Sequence, residues 1–182
     1  MVRGFTLIEL LITVAMASLM LMIAVPSYAS LSEHFKMVRL ARSLEGFLHQ
    51  ARSEAVFRHQ DLWLHIDIPV SNQSVVDSLS RTSAQSAGGE WQLWLSDSKE
   101  INHAPLRLLS GDRYPQIAFS SHIGIDDRIL FDGVRGRLSS SGSFRFYPQA
   151  HPERELRLVV SSGASRIRVC GQGGKRYGYP AC

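Results

Sequence analysis

What this sequence lacks first is the apparatus of catalysis. Its seven histidines, at positions 34, 49, 59, 65, 103, 122 and 151, fall at no metal-ligand spacing, and His103 and His122 stand far from both cysteines. Serine is abundant, yet none lies in a Gly-x-Ser-x-Gly elbow, so a hydrolase has no nucleophile signature. Gly171-Gln172-Gly173-Gly174-Lys175 has glycines and a lysine but neither the spacing nor the following Ser/Thr of a phosphate loop. Asn72-Gln73-Ser74 matches a glycosylation sequon, a pattern too frequent by chance to carry weight. These absences predict no enzyme, no metal and no cofactor.

Net charge is also low. The 182 residues carry 20 Lys+Arg against 16 Asp+Glu, a formal +4, but the charges are unevenly shuffled. Residues 59–132 hold five basic and ten acidic side chains, whereas residues 133–182 hold nine basic ones against Glu153 and Glu155. A cationic C-terminal end of this kind fits an anionic partner such as nucleic acid or lipid headgroups, or a surface that is simply well solvated. What is plentiful is apolar: the 45% hydrophobic fraction suffices for one compact domain plus an accessory segment and argues against a disordered tail or a multi-domain enzyme.

The accessory segment stands at the beginning. Phe5 to Val25 is a run of 21 residues whose only charge is Glu9, and about 20 apolar residues cross a bilayer as a helix. In front of it Met1-Val2-Arg3-Gly4 is short and positive, which keeps the extreme N-terminus cytoplasmic and sends everything after Val25 outside the inner membrane. Three readings compete. Ser27-Tyr28-Ala29 has the small-x-small pattern of a cleaved secretory signal, though the run is long for one. A plain anchor leaves Glu9 unexplained, because a carboxylate in hydrocarbon costs roughly 2.5–3.5 kcal/mol on insertion scales. The third reading comes from resemblance: Gly4-Phe5-Thr6-Leu7-Ile8-Glu9-Leu10, after a basic leader and opening a long apolar helix, closely resembles the processing site of type IV pilins and of the pseudopilins of type II secretion. The resemblance implies cleavage between Gly4 and Phe5 by a prepilin peptidase, N-methylation of the new terminal Phe5, and pairing of Glu9 with the N-terminal amine of a neighbouring subunit during assembly. A buried carboxylate is tolerable when a cation neutralises it.

Beyond Val25, Pro26 should kink the helix rather than end it. Leu31, Phe35, Val38, Ala41, Leu44, Leu48, Ala51 and Ala55 then recur at three- or four-residue steps, one apolar stripe on a helix reaching about Phe57. At 1.5 Å per residue, a helix from Phe5 to Phe57 would be roughly 80 Å long. After Gln60 the period changes to two, and strands are expected near 62–68, 91–96, 106–109, 116–119, 128–131, 143–147, 155–160 and 166–170, a hairpin series that makes an antiparallel sheet system. Ser71 to Gly89 is Ser/Gln/Ala/Gly-rich and reads as a mobile loop. The division is therefore a leader at 1–4, a transmembrane or filament-core helix at 5–28, the amphipathic half of that helix at 29–58, and a β-rich head at 59–182. Cys170 and Cys182 lie in an oxidising compartment if this topology holds, so a disulfide is expected, worth on the order of 3 kcal/mol by loop closure.

The arginines form the remaining pattern. In Arg166-Ile167-Arg168-Val169-Cys170 alternation sets Arg166 and Arg168 on one face, roughly 6.5–7 Å apart, with Ile167 and Val169 toward the core. Ser143-Phe144-Arg145-Phe146-Tyr147 does the same with Arg145 and Tyr147. Arg135-Gly136-Arg137 reads as a flexible pair, and Lys175, Arg176, Tyr177 and Tyr179 follow near the C-terminus. Guanidinium pairs grip successive phosphates and tyrosines stack on unpaired bases, although any single outward arginine is ordinarily just solvated.

A narrower resemblance joins these features. With the leader, Ile129-Leu130-Phe131-Asp132-Gly133, Leu158-Val159-Val160-Ser161-Ser162-Gly163 and Arg166-Ile167-Arg168-Val169-Cys170 look like the GspH/FimT family of minor pilins and pseudopilins. The resemblance implies an α+β fold, a long N-terminal helix packed on a β-rich antiparallel head with a FimT- or FimU-like character, anchored in the inner membrane with its head in the periplasm and then carried into the extracellular pilus. Its partners would be other major and minor pilins, the peptidase, and duplex DNA captured during natural transformation. FimT-like members bind DNA through a Gly-Arg-x-Arg motif, whose two arginines match Arg166 and Arg168 while Ser165 stands at the glycine. Arg166, Arg168, Lys175, Arg176, Arg135 and Arg137 are the expected DNA contacts. A structural subunit that primes or caps the pilus, and a GspH-like secretion pseudopilin, remain as alternatives.

Overall fold

A computed structural model of the chain describes residues 5–69, 85, 86, 88–100, 104–123, 128–163 and 165–182, without the side chains of residues 23–27 and 85. The chain divides into two compact units, Met1–Lys36 and Met37–Cys182. One helix, α1 (Leu7–Arg58), passes through both and continues without interruption past position 26.

In the first unit the helix begins at a cap. Thr6 Oγ1 accepts the backbone N–H of Glu9 at 3.3 Å, and the Thr6 carbonyl accepts that of Leu10, which places Thr6 at the N-cap and Glu9 at the third helical position. Thr13 and Ser18 turn their hydroxyls back onto the carbonyls of Leu10 and Val14, so these polar groups of the apolar run are satisfied inside the helix. The large apolar side chains between Leu7 and Met22 are exposed. Among the described residues no helix is long and apolar enough to cross a membrane. The expected span includes the side chains of residues 23–27, and the expected leader is Met1–Gly4; both lie outside the described residues.

In the second unit the buried stripe of α1 is Met37, Leu40, Ala41, Leu44, Phe47, Leu48, Ala51 and Ala55. It starts later than the sequence periodicity suggests, since Leu31 and Phe35 are exposed. The helix stops at His59, whose φ of 53° is left-handed: its N–H bonds the Val56 carbonyl while the Gln60 N–H reaches that of Ala55, a Schellman cap. Nine strands follow among the described residues: β1 (Leu62–Asp67), β2 (Gln85–Ser86), β3 (Gln92–Ser96), β4 (Arg107–Ser110), β5 (Ile117–Ile123), β6 (Arg128–Phe131), β7 (Gly142–Pro148), β8 (Leu156–Ser161) and β9 (Arg166–Gly171). They form two antiparallel sheets, ordered β4-β3-β1-β6 and β2-β5-β7-β8-β9. All eight expected strands are present, β5 running four residues further than the sequence suggests. The ninth, β2, corrects part of the expected loop: Gln85 and Ser86 pair with Ser120 and Phe119 of β5. Residues 71–84 of that loop lie outside the described residues.

Aromatic rings join the two sheets under the helix. Trp91, just before β3, stacks on Phe119 of β5 at 4.3 Å between centroids, and Phe119 on Phe144 of β7 at 5.7 Å. All three are fully buried. Such offset stacks contribute about 0.5–1.5 kcal/mol beyond burial. Gly111 makes this possible, because a Cβ there would collide with the Trp91 indole and the Gly89 carbonyl. Gly111→Ala is therefore expected to destabilise the head by about 1–3 kcal/mol through overpacking. A thermal melt followed by near-UV circular dichroism checks this; an unchanged midpoint would show that the indole has room to move.

Candidate functional site

Register places the arginines of the second sheet. Residues opposite one another in an antiparallel pair share a face, so Arg145, Arg157 and Cys170 form one row across β7, β8 and β9, Ser143, Val159 and Arg168 the next, and Ser161 and Arg166 the last. Phe144, Phe146, Leu156, Leu158, Ile167 and Val169 fill the opposite, buried face. Arg157 completes this row but escaped the sequence reading, although its alternation with Leu156 and Leu158 was there to be read.

Not all of this charge is available to a ligand. Glu155, 6% exposed, accepts Arg145 Nε at 2.9 Å and Nη2 at 2.8 Å in a bidentate pair, and Arg157 Nη2 at 3.4 Å. The hydrogen bond to Glu155 holds the Arg145 guanidinium above its usual range, against the opposing effect of burial. Arg168 is partly engaged as well: its Nη2 donates to the Ala181 carbonyl at 3.3 Å. Arg166 is exposed and makes no side-chain hydrogen bond or ion pair among the described residues.

Arg168 thereby helps to hold the C-terminal segment. Cys170 and Cys182 are joined by a disulfide with 5.0 Å between Cα atoms, and no described cysteine is free. The Gly171 N–H donates to the Pro180 carbonyl and the Gly171 carbonyl accepts from the Cys182 N–H, so the segment lies parallel to the end of β9. Between them Arg176 and Tyr179 exchange backbone bonds around Tyr177 and Gly178, whose φ of 49° and 86° define a type I′ turn. Tyr177 and Tyr179, read as base-stacking groups, pack half-buried against the core, and burial raises the Tyr179 phenol pKa, with Glu45 adding to the effect and Arg42 opposing it. Lys175 and Arg176 do not join Arg166: the Arg176 stem rests on Gly171, at the opposite end of β9, about 17 Å away at strand rise.

Arg135 and Arg137 lie on a fixed turn rather than a flexible one. Asp132 Oδ1 accepts the N–H of Val134 at 2.8 Å and of Arg135 at 2.6 Å, while the Asp132 backbone bonds Gly136 and Arg137. The Arg135 and Val134 amides hold the Asp132 carboxyl below its usual pKa, with a smaller contribution from the two guanidinium charges. Asp61 Oδ1 accepts the Gly133 N–H at 2.9 Å and ties the same loop to the end of α1. An aspartate two and three residues before the amides it caps is a turn signal that was present in the sequence.

Among the described residues no group of three His, Cys, Asp or Glu side chains is placed to hold a metal ion. Gly4 lies outside the described residues, Phe5 is exposed, and Glu9 makes no ion pair among the described residues.

Comparison with known proteins follows from this geometry. The profile of the family described as Type II transport protein GspH matches residues 40–164, from the buried half of α1 through β8, and ends before Ser165 and β9. No curated protein matches the sequence. Among solved structures, the type IV minor pilin FimU of Pseudomonas aeruginosa strain PAO1 superposes with a TM-score of 0.54 at 18% identity, over 79% of this chain and 97% of that one. A second crystal form of FimU gives 0.48 at 18% identity, over 73% and 94%. At this identity the first likeness is one of fold, a helix packed on antiparallel sheets.

Ser165 settles the geometry before β9. Its φ is 46°, in the left-handed region that costs an L-residue roughly 1–2 kcal/mol and glycine almost nothing. Ser165→Gly is expected to hold stability level or raise it by up to about 1 kcal/mol, because glycine also loses more chain entropy on folding, whereas Ser165→Val should lower it by roughly 1–2 kcal/mol. Equal melting temperatures for the serine and valine proteins would show that the turn relaxes to another conformation.

Proposed function

This chain belongs to the GspH family, and we propose that it is a minor pilin that binds DNA without sequence preference through Arg166 and its basic neighbours. The observation that carries the reading is local. Arg166 and Arg168 leave β9 on one outward face directly after a residue held at left-handed φ, so serine at the glycine position of the Gly-Arg-x-Arg pattern preserves the turn that glycine would favour. The guanidinium pair then has the strand spacing that lets it follow a phosphate chain.

The N-terminal unit supplies the rest of the role. Cleavage after Gly4 and methylation of Phe5 release an apolar helix that waits in the inner membrane and then enters the pilus among other pilins, with Glu9 neutralised by a neighbour's terminal amine. This part rests on the leader sequence and on family membership. Segment 5–28 anchors, segment 29–58 joins anchor to head, and the head presents its basic face outside the cell.

A second reading, a structural subunit that primes or caps a pilus or a type II secretion pseudopilus, is favoured by the arginines bound within the fold: Arg145 and Arg157 on Glu155, and Arg168 on Ala181.

Salt dependence separates the two. For the full chain in zwitterionic detergent, the affinity for labelled duplex DNA should fall with salt, with a log–log slope near −0.9 per phosphate contacted, and Arg166→Gln with Arg168→Gln should reduce that slope by about 2 units. Absence of binding at low salt, or a slope untouched by the double substitution, would leave the structural role standing.

A further inference from the structure

The Arg135–Arg137 loop follows β6 of one sheet, Arg166 opens β9 of the other, and one helix residue touches both. Arg52, half-buried on α1, donates Nη1 to the Ser165 carbonyl at 3.2 Å. Its Nε and Cγ lie so close to the loop that a Cβ on Gly136 would stand 3.1 and 3.2 Å from them, and 3.0 Å from Val56 Cγ2. Gly136 has φ 61°, so the approach uses both its missing side chain and its left-handed backbone. Arg52 therefore fills the gap between the loop and the start of the strand, hydrogen-bonded to the Ser165 carbonyl and packed against Gly136.

The acidic groups near this corner are each held within the fold. Asp132 lies electrostatically near Arg135 and Arg137, but its Oδ1 already accepts two backbone amides. Asp61 is bonded to the Gly133 N–H, and Glu54 to Arg58 at 2.7 Å. Arg52 thus sits between the loop that carries Arg135 and Arg137 and the residue before Arg166, and these three outer arginines are all exposed.

We propose that Arg52 is a positioning residue that clasps the 132–137 loop and the Ser165–Arg166 corner into one cradle for an extended phosphodiester chain. Arg135, Arg137 and Arg166 bind successive phosphates, and Lys175 and Arg176, at the far end of β9, stand outside the cradle. The inference rests on the DNA-binding reading and specifies it: the polyanion crosses the head beside the C-terminal turns of α1 rather than over the disulfide loop.

The test uses the full chain in detergent with two probes, fluorescein-labelled duplex DNA and inorganic polyphosphate. Arg135→Gln with Arg137→Gln should weaken both by roughly tenfold or more, the scale of one charge-assisted hydrogen bond, whereas Lys175→Gln with Arg176→Gln should stay within about twofold. The reverse order overturns the proposal. Arg52 is tested by coupling: the losses from Arg166→Gln and from the loop pair should be non-additive in the native background and become additive after Arg52→Met, with Arg52→Lys restoring part of the coupling. Additive losses in both backgrounds overturn the positioning role. Should Arg52→Met fail to fold, the two exposed pairs still decide where the polyanion binds. Polyphosphate bound at the cradle without DNA binding would refute the DNA reading and keep the cradle; neither probe bound refutes both.

Discussion

The head depends on hiding one stripe of α1. Eight apolar side chains from Met37 to Ala55 recur at helical spacing, and in the folded chain each is at most 7% exposed. A helix gains little from propensity alone and most of its stability from burying such a face. Two sheets supply the cover, their inward residues joining the helix in a single core whose aromatic members Trp91, Phe119 and Phe144 link one sheet to the other. Once that burial is fixed, alternation leaves no choice for the other face. With Phe144, Phe146, Leu158, Ile167 and Val169 inward, Arg145, Arg157, Arg166 and Arg168 must point out. The basic surface is thus a consequence of core packing as much as a feature added to it.

Its charge is then redistributed by a few specific contacts. Glu155 is one of only two acidic residues after position 132, and it sits where it can take Arg145 in a bidentate pair and touch Arg157. Arg145 is 39% exposed at its side chain, so this pair is screened and its weight lies in orientation more than in stability. Arg168 holds the terminal segment that the disulfide closes. Among the described residues Arg166 at one end of the sheet, Arg135 and Arg137 on the Asp132 turn, and Arg176 in the terminal segment make no such contact, and the proposed cradle takes the first three because Arg52 reaches both their loop and the residue before Arg166.

Sequence periodicity reached the helix, eight strands and the disulfide, because hydrophobic period and cysteine context are local signals. It missed β2, since Gln85 and Ser86, paired with Ser120 and Phe119 of β5, are both polar and leave no apolar alternation to detect. The glycine in Arg135-Gly136-Arg137 suggested flexibility, while the aspartate three residues earlier held the signal for order. Tyr177 and Tyr179 were read by chemistry rather than by burial, and only the folded turn against Arg42 and Glu45 decides that. Arg52 had no local signature at all. It looks like one more charge on a helix, and its contacts lie 84 and 113 residues away, at Gly136 and Ser165.

Glu9 shows how magnitudes separate a local role from an assembly role. As the third helical residue after the Thr6 cap, it sits where a carboxylate favours the helix dipole, and its N–H donates to the Thr6 hydroxyl. That explains an acidic residue at this position in water, where capping and dipole effects are each worth about 1 kcal/mol. In hydrocarbon the same charge costs roughly 2.5–3.5 kcal/mol even on insertion scales. Capping alone does not offset that, and no cation pairs with Glu9 among the described residues. In the proposed pilin the positive group comes from elsewhere: a terminal ammonium on a neighbouring copy of the helix is a cation that assembly itself would supply at the right depth.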